Sequence, residues 1–316
     1  MTKFARQQWF LLALGGTLVG GALFYQPLRP VTEAIPQHPL LAVILWLMSA
    51  PLDLRRSLSG RHAVATTGIA VAVNTLAAGP LAWVMGRALI EPLAIGLVLA
   101  ALSPCTMASA AVWTRRGGGN DAIALMVTVV TSLLSVVSLP GWAWLLIGRG
   151  QNVEVDAVEL AGKMLIYVVL PIGLAQAMRA LTPCRLWFDR HRHQLSLTAQ
   201  LGLLLMVLIG AVRCGELLAG TDSILRPIDW GLLIVITAVV HVVLFALAWY
   251  GTRTIGAPRA DMLAAAVSGS QKTLAVGLSV AMEFGPLAIL PMIVYHTLQL
   301  LIDAVLVEKL GVKRAK

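Results

Sequence analysis

The stretch from Val267 to Gly277 reads Val-Ser-Gly-Ser-Gln-Lys-Thr-Leu-Ala-Val-Gly and interrupts an apolar run from about Asp261 to Met282. If that run is a helix rising about 1.5 Å per residue, Lys272 lies roughly 16 Å along it, near the middle of a bilayer core about 30 Å thick. A cation at that depth costs at least about 2.5 kcal/mol, so it is kept where a cavity, a partner or a ligand receives it. Lys272 therefore reads as a fixed cation for an anionic substrate or as a proton carrier. The plainer alternative is a tether to carbonyls of a weakened helix. Ser268, Ser270, Gln271 and Thr273 surround it and can bond a ligand or a neighbouring helix.

A second interruption lies earlier, in Ser103-Pro104-Cys105-Thr106-Met107-Ala108-Ser109. Pro104 removes a backbone donor and clashes with the preceding turn. Thr106 and Ser109 are the ligand candidates there, with Thr128 in the next apolar segment. Asn74 and Thr75 precede Pro80 in another such segment, and His296 and Thr297 sit in the last one. His241 is a weaker candidate. Lys163 and Asp303 lie within about two turns of helix ends, where snorkelling to the interface accounts for them.

The elements that position these residues follow from composition. Hydrophobic residues make up 58% of the 316-residue chain and charged residues only 12%, against about 25% charged in a soluble domain. Mean hydropathy is +0.83. Ten candidate spans emerge, at about 9–25, 39–54, 63–86, 93–114, 122–147, 157–180, 195–212, 230–251, 261–282 and 287–307. The apolar run after Lys3 and Arg6 resembles a signal peptide but lacks a clear small-residue cleavage site, so it is taken as the first span. With the N-terminus inside, seventeen of the 24 Lys and Arg fall inside and five outside, leaving Lys163 and Lys272 in the membrane. That bias supports an N-in, C-in topology.

The polar stretch 149–156 is an external linker between five spans (1–148) and five more (157–316). An odd number in each half makes the halves inverted repeats. Polar interruptions at matching depth in spans 4 and 9 then point to a midplane binding site between discontinuous helices. The expectation is an all-α integral membrane protein in the plasma (cell inner) membrane, in contact with lipids.

The net charge of +9 is spread over the cytoplasmic segments, which suits anionic lipid headgroups and calls for no nucleic acid. Cys105, Cys184 and Cys214 form neither a zinc motif nor a disulfide framework. No Walker sequence is present, which argues against direct ATP use. No cofactor or oligomeric state is indicated.

In span 4 and the loop after it (103–121), in Val127-Thr128, in Ser268 to Gly277 and in the run Ile293-Val-Tyr-His-Thr-Leu-Gln-Leu-Leu, the chain resembles the bile acid:sodium symporter family. Its Gln-Lys-Thr variant is closest to the sodium/bile acid cotransporter 7-like branch. The resemblance implies a panel domain of spans 1, 2, 6 and 7 and a core domain of spans 3–5 and 8–10. Substrate would bind beside the crossing of spans 4 and 9. It also implies that Thr128 matches a threonine facing the ion, that Asn74 or Thr75 lies near a glutamine with the same role, and that His296 or Thr297 takes a substrate-facing position.

The chain departs from sodium-coupled members at the ion. Ser109-Ala110 replaces Ser-Asn, Ser268 replaces Glu, and Gln271-Lys272 replaces Gln-Asn. Neutral carbonyls and hydroxyls would hold sodium weakly. An ammonium about 4 Å from it would cost on the order of 4 kcal/mol at an effective dielectric of 20. Lys272 thus reads as a stand-in for the coupling cation, with proton coupling left open. The expected function is secondary transport of an organic anion, bile-acid-like or a small carboxylate or sulfonate, and not catalysis. Two alternatives are an arsenite or metalloid exporter using Cys105 and a non-transporting sensor or intramembrane enzyme. For the enzyme, His296 and Asp303 share a helix face with no second His or acid in view.

Overall fold

A computed structural model describes residues 9–53, 62–107, 109–149, 154–220 and 225–311. Among them there is no strand. The first seven helices are α1 (Trp9–Leu23), α2 (Tyr25–Glu33), α3 (Gln37–Ser49), α4 (Ala63–Gly86), α5 (Glu91–Leu102), α6 (Ser109–Arg116) and α7 (Asp121–Gly148). The second seven are α8 (Ala157–Ala180), α9 (Thr182–Arg190), α10 (Arg192–Gly220), α11 (Pro227–Thr254), α12 (Arg259–Ser270), α13 (Leu274–Ala281) and α14 (Ile289–Leu310). Of the charges used to orient the chain, Lys3, Arg6, Arg55, Arg56, Arg61, Lys313, Arg314 and Lys316 lie outside the described residues, as do 150–153 of the linker.

Six of these helical runs are long and apolar enough to cross a membrane, namely α4, α7, α8, α10, α11 and α14 with the turn before it. The number is seven if α2 and α3, bent by 79° at a short break, form one span. The other expected spans are shorter pieces. Residues 93–114 are split between α5 and α6, and 261–282 between α12 and α13. Neither half can cross alone, because the 12 residues of α5 or α12 rise only about 18 Å. The polar and proline-bearing interruptions seen in the sequence are the sites of both breaks.

Local chemistry sets the helix ends. Asn120 accepts from Ala122 N at 3.2 Å to start α7. Asp156 accepts from Val158 N and Glu159 N at 3.0 and 2.9 Å to start α8. Side-chain oxygens at these positions satisfy orphan N–H groups of the first turn. Gly256, with φ of +70°, follows the end of α11, a conformation that glycine adopts without strain.

The helix contacts fall into two groups joined through α8, which lies against α3 on one side and α7 on the other, while α10 lies along α1 and α3. In the other group α11 packs on α12, α14 and α4, and α12 also touches α6 and α7. The two broken helices meet inside the second group, where Thr273 N donates to Pro104 O at 2.9 Å. Small residues let them approach: a Cβ at Gly277 would stand 2.7 Å from Ser103 Oγ.

Candidate functional site

The break between α12 and α13 leaves peptide groups of Ser268 to Thr273 without helical partners, and buried peptide groups need substitutes. Three side chains supply them. Gln299 of α14 accepts from Lys272 N at 2.7 Å and donates back to Lys272 O at 2.9 Å. Tyr295 Oη donates to Ser270 O at 3.0 Å. Asn74 Nδ2 stands 3.2 to 3.3 Å from the carbonyl oxygens of Ser268, Gly269 and Gln271. Asn74 lies in a π turn, Val73–Ala77, within α4. Pro80 follows it and has no N–H to bond the Leu76 carbonyl, which favours that widening.

Lys272 is fully buried, and its ammonium donates to Asn74 O at 2.8 Å. It lines neither of the cavities described below. The expectation of an ammonium facing a watery crevice is therefore corrected. The side chain seals the gap between the half-helices, where the negative end of α12 favours a cation.

Gln271 points the other way. Its Nε2 donates to Asp303 Oδ2 at 2.5 Å, and its Oε1 accepts from Ser109 Oγ at 2.8 Å. Asp303 Oδ1 lies 2.9 Å from His241 Nε2. Asp303 and His241 are both 0% exposed, so snorkelling of Asp303 is wrong. A second histidine does join that helix face, contributed by α11. Lys163 is partly exposed and is paired with Glu159 and Glu283, each at 2.8 Å.

On the other broken helix, Cys105 N is held by Thr131 Oγ1 at 3.1 Å. Thr128 Oγ1 lies 3.4 Å from Cys105 Sγ and 3.3 Å from Thr106 O. The Cys105 thiol is fully buried and lines neither cavity. Five of the candidate hydroxyls turn back onto their own helices. Ser268, Ser270, Thr75, Thr128 and Thr297 donate to Ala264 O, Ala266 O, Val71 O, Ala124 O and Ile293 O at 2.6 to 2.9 Å. Hydroxyls bonded in this way weaken and bend helices more readily than they hold ligands.

The residues that reach open space are Thr106, Ser109, Thr273 and His296. With Val112, Leu274 and Leu300 they form one wall of a cavity of about 200 Å³. Phe10, Met48, Gln200 and Leu203, from α1, α3 and α10, form the facing wall. The first turns of α6 and α13 lie on this cavity, and their N–H ends carry positive partial charge. A larger cavity of about 640 Å³ shares Met48, Val112, Gln200 and Leu203 with it. Arg115, Arg179, Arg192 and His193 line that larger space, alongside Asp53 and Asp189. Arg179 is paired with Asp189 at 2.7 Å.

Sequence reasoning missed Gln299, Tyr295, Thr131 and the facing apolar wall, and it underrated Asp303 and His241. One signal was present: His296, Gln299 and Asp303 recur at i, i+3 and i+7 on one face of an apolar helix, a periodicity that marks an inward face.

A multi-pass helical membrane protein with paired helix breaks beside a cavity has the architecture of a secondary transporter. The chain matches the SBF-like CPA transporter family over residues 8–311 and belongs to that family. It is 27% identical to "Putative symporter YfeH" of Escherichia coli (strain K12), over 68% of this chain and 64% of that protein. It is likewise 27% identical to "Probable sodium/metabolite cotransporter BASS4, chloroplastic" of Arabidopsis thaliana, over 71% of this chain and 53% of that one. Identity to "Sodium/bile acid cotransporter 7" of Rattus norvegicus is 24%, over 67% of this chain and 63% of that one. The chain thus spans between about half and two thirds of the length of these relatives.

Proposed function

We propose that this chain is a secondary-active transporter that moves an organic anion across the cell inner membrane by alternating access. The observation that carries the reading is the bonded pair of helix breaks with a cavity on one side and the Lys272 ammonium sealed on the other. The reading takes ten spans as two inverted repeats, N-in and C-in, with spans 4 and 9 as the broken pair. The panel is then α1, α3, α8 and α10, and the remaining spans form the core. The cavity between them offers hydroxyls, an imidazole and two positive helix ends, and Arg-lined space leads to it. These features suit a carboxylate or sulfonate on an apolar body.

Lys272 takes the place of a coupling sodium ion in this reading. Its burial and its bond to Asn74 O favour that role over direct contact with substrate. The names of the relatives, sodium/metabolite and sodium/bile acid cotransporters, support the substrate class. The departures at Ser109-Ala110, Ser268 and Lys272 argue against sodium as the coupling ion.

The test is thermal stabilisation of the purified protein by a panel comprising taurocholate, cholate, small carboxylates and small sulfonates, each with and without sodium. A sodium-independent shift that falls in Lys272→Ala is expected. A shift that requires sodium would remove Lys272 from the coupling role, and the absence of any anion shift would overturn the reading.

A further inference from the structure

Three hydrogen bonds run from the cavity wall to a sealed carboxylate. Ser109, on the wall, donates to Gln271 Oε1 at 2.8 Å; Gln271 Nε2 donates to Asp303 at 2.5 Å; and Asp303 meets His241 Nε2 at 2.9 Å. His241 Nδ1 has no hydrogen-bond partner among the described residues. With Nδ1 unpartnered, the tautomer that satisfies the contact has His241 donating from Nε2 to Asp303. The other titratable groups around Asp303 are Lys272 and Cys105 at the two breaks and Tyr295 and His296 on its own helix.

We propose that Asp303 is the coupling-proton site and that Gln271 reports its protonation to the cavity, so that a proton and an organic anion are carried together. This rests on the transporter reading above. With Asp303 ionised, Gln271 must present its NH₂ to the carboxylate. Its oxygen then takes the Ser109 hydrogen, and Ser109 shows only lone pairs to the cavity, which disfavours an anion. A proton from the cavity converts the carboxylate to a carboxylic acid, whose O–H donates to Gln271 Oε1 once the amide has turned over. The NH₂ then donates to Ser109 Oγ, and the Ser109 hydroxyl is free to donate to an anion. Hydrogen bonding thus links the two events, and each anion moves with one proton.

The experiment uses the full chain in liposomes and taurocholate, whose sulfonate stays ionised and carries no proton itself. Infrared difference spectra between neutral and acidic pH, without ligand, should show a carboxylic C=O band that disappears in Asp303→Asn. The absence of that band in the unmodified protein overturns the proposal whatever the anion results. Taurocholate affinity should rise by up to about tenfold per unit fall in pH across the titration, as one linked proton requires. Asp303→Asn, which mimics the protonated acid, should bind taurocholate tightly at every pH. Gln271→Leu should keep the infrared band and lose most of the pH dependence. Taurocholate binding that is independent of pH in the unmodified protein overturns proton coupling while leaving the anion carrier intact. Failure to bind any member of the panel overturns the carrier instead.

Discussion

Lys163 Nζ lies 2.8 Å from Glu283 Oε2, joining α8 of one helix group to the residues just after α13 in the other. His38 Nε2, from α3, lies 3.2 Å from the other oxygen of Glu283. One carboxylate therefore holds a lysine and a histidine from two different helices. In the alternating-access mechanism proposed above, this seam between the helix groups would have to open.

Glu283→Gln is expected to loosen the clasp. A partly exposed pair contributes up to about 1 kcal/mol, so the open population should rise roughly fivefold. Cys214 provides a reporter, being buried with its Sγ 2.9 Å from Pro286 O. Its labelling from outside by an impermeant maleimide, in a Cys105→Ser/Cys184→Ser background, should quicken by about that factor. An unchanged rate removes the clasp from gating.

Gln299 holds both peptide groups of Lys272, so Gln299→Leu leaves a buried N–H and a buried C=O unpaired. Each orphan costs about 1–3 kcal/mol, and the variant should melt well below the parent. Gln299→Glu keeps the acceptor and loses the donor, so it should fall between the two. Melting curves in detergent check the order.

The sodium question can be put to the residues themselves. Ser268→Glu with Lys272→Asn restores a carboxylate and an amide at the positions where the chain departs from sodium-coupled members of its family. The double variant should gain stabilisation by sodium over potassium, and the parent should show none. Equal behaviour in the two salts would mean that these positions do not form an ion site in this chain.

Cys105 is sealed against Thr128, and Cys184 and Cys214 lie in other helices. A metalloid needing several thiolates finds one buried sulfur. Arsenite should give no thermal shift, and Cys105→Ser should leave the anion-induced shift unchanged. An arsenite shift abolished by Cys105→Ser would reverse this.

Gly277→Ala places a methyl group against Ser103 Oγ and the Met292 side chain. Overpacking of this kind costs about 1–3 kcal/mol. Because the crowding lies beside both breaks, the variant should lose stability and anion binding together in melting and binding titrations. Loss of stability alone would separate Gly277 from the site.

Much of the fold was legible because breaking a membrane helix needs visible residues. Pro104 and the polar run around Lys272 announced both interruptions, and the helices break at Ser103–Thr106 and at Gln271–Thr273. Long apolar runs such as α11 announce themselves by composition. The site was less legible. Thr106, Ser109, Thr273 and His296 reach the cavity, whereas Ser268, Ser270, Thr75 and Thr297 bond their own helices. The serines and threonines of the two sets do not differ in type, and side-chain direction separates them.

The sequence by itself determined that this chain is an all-helical membrane protein with two weakened helices and a cation at the second weak point. Those properties follow from hydrophobicity, proline and glycine chemistry and the cost of a buried charge, all of which act along one stretch of chain. Tertiary structure alone decided that Lys272 turns to Asn74 while Gln271 turns to Asp303 and Ser109. Which partner an interrupted helix finds depends on helices distant in sequence, and no local pattern encodes the direction from which they approach.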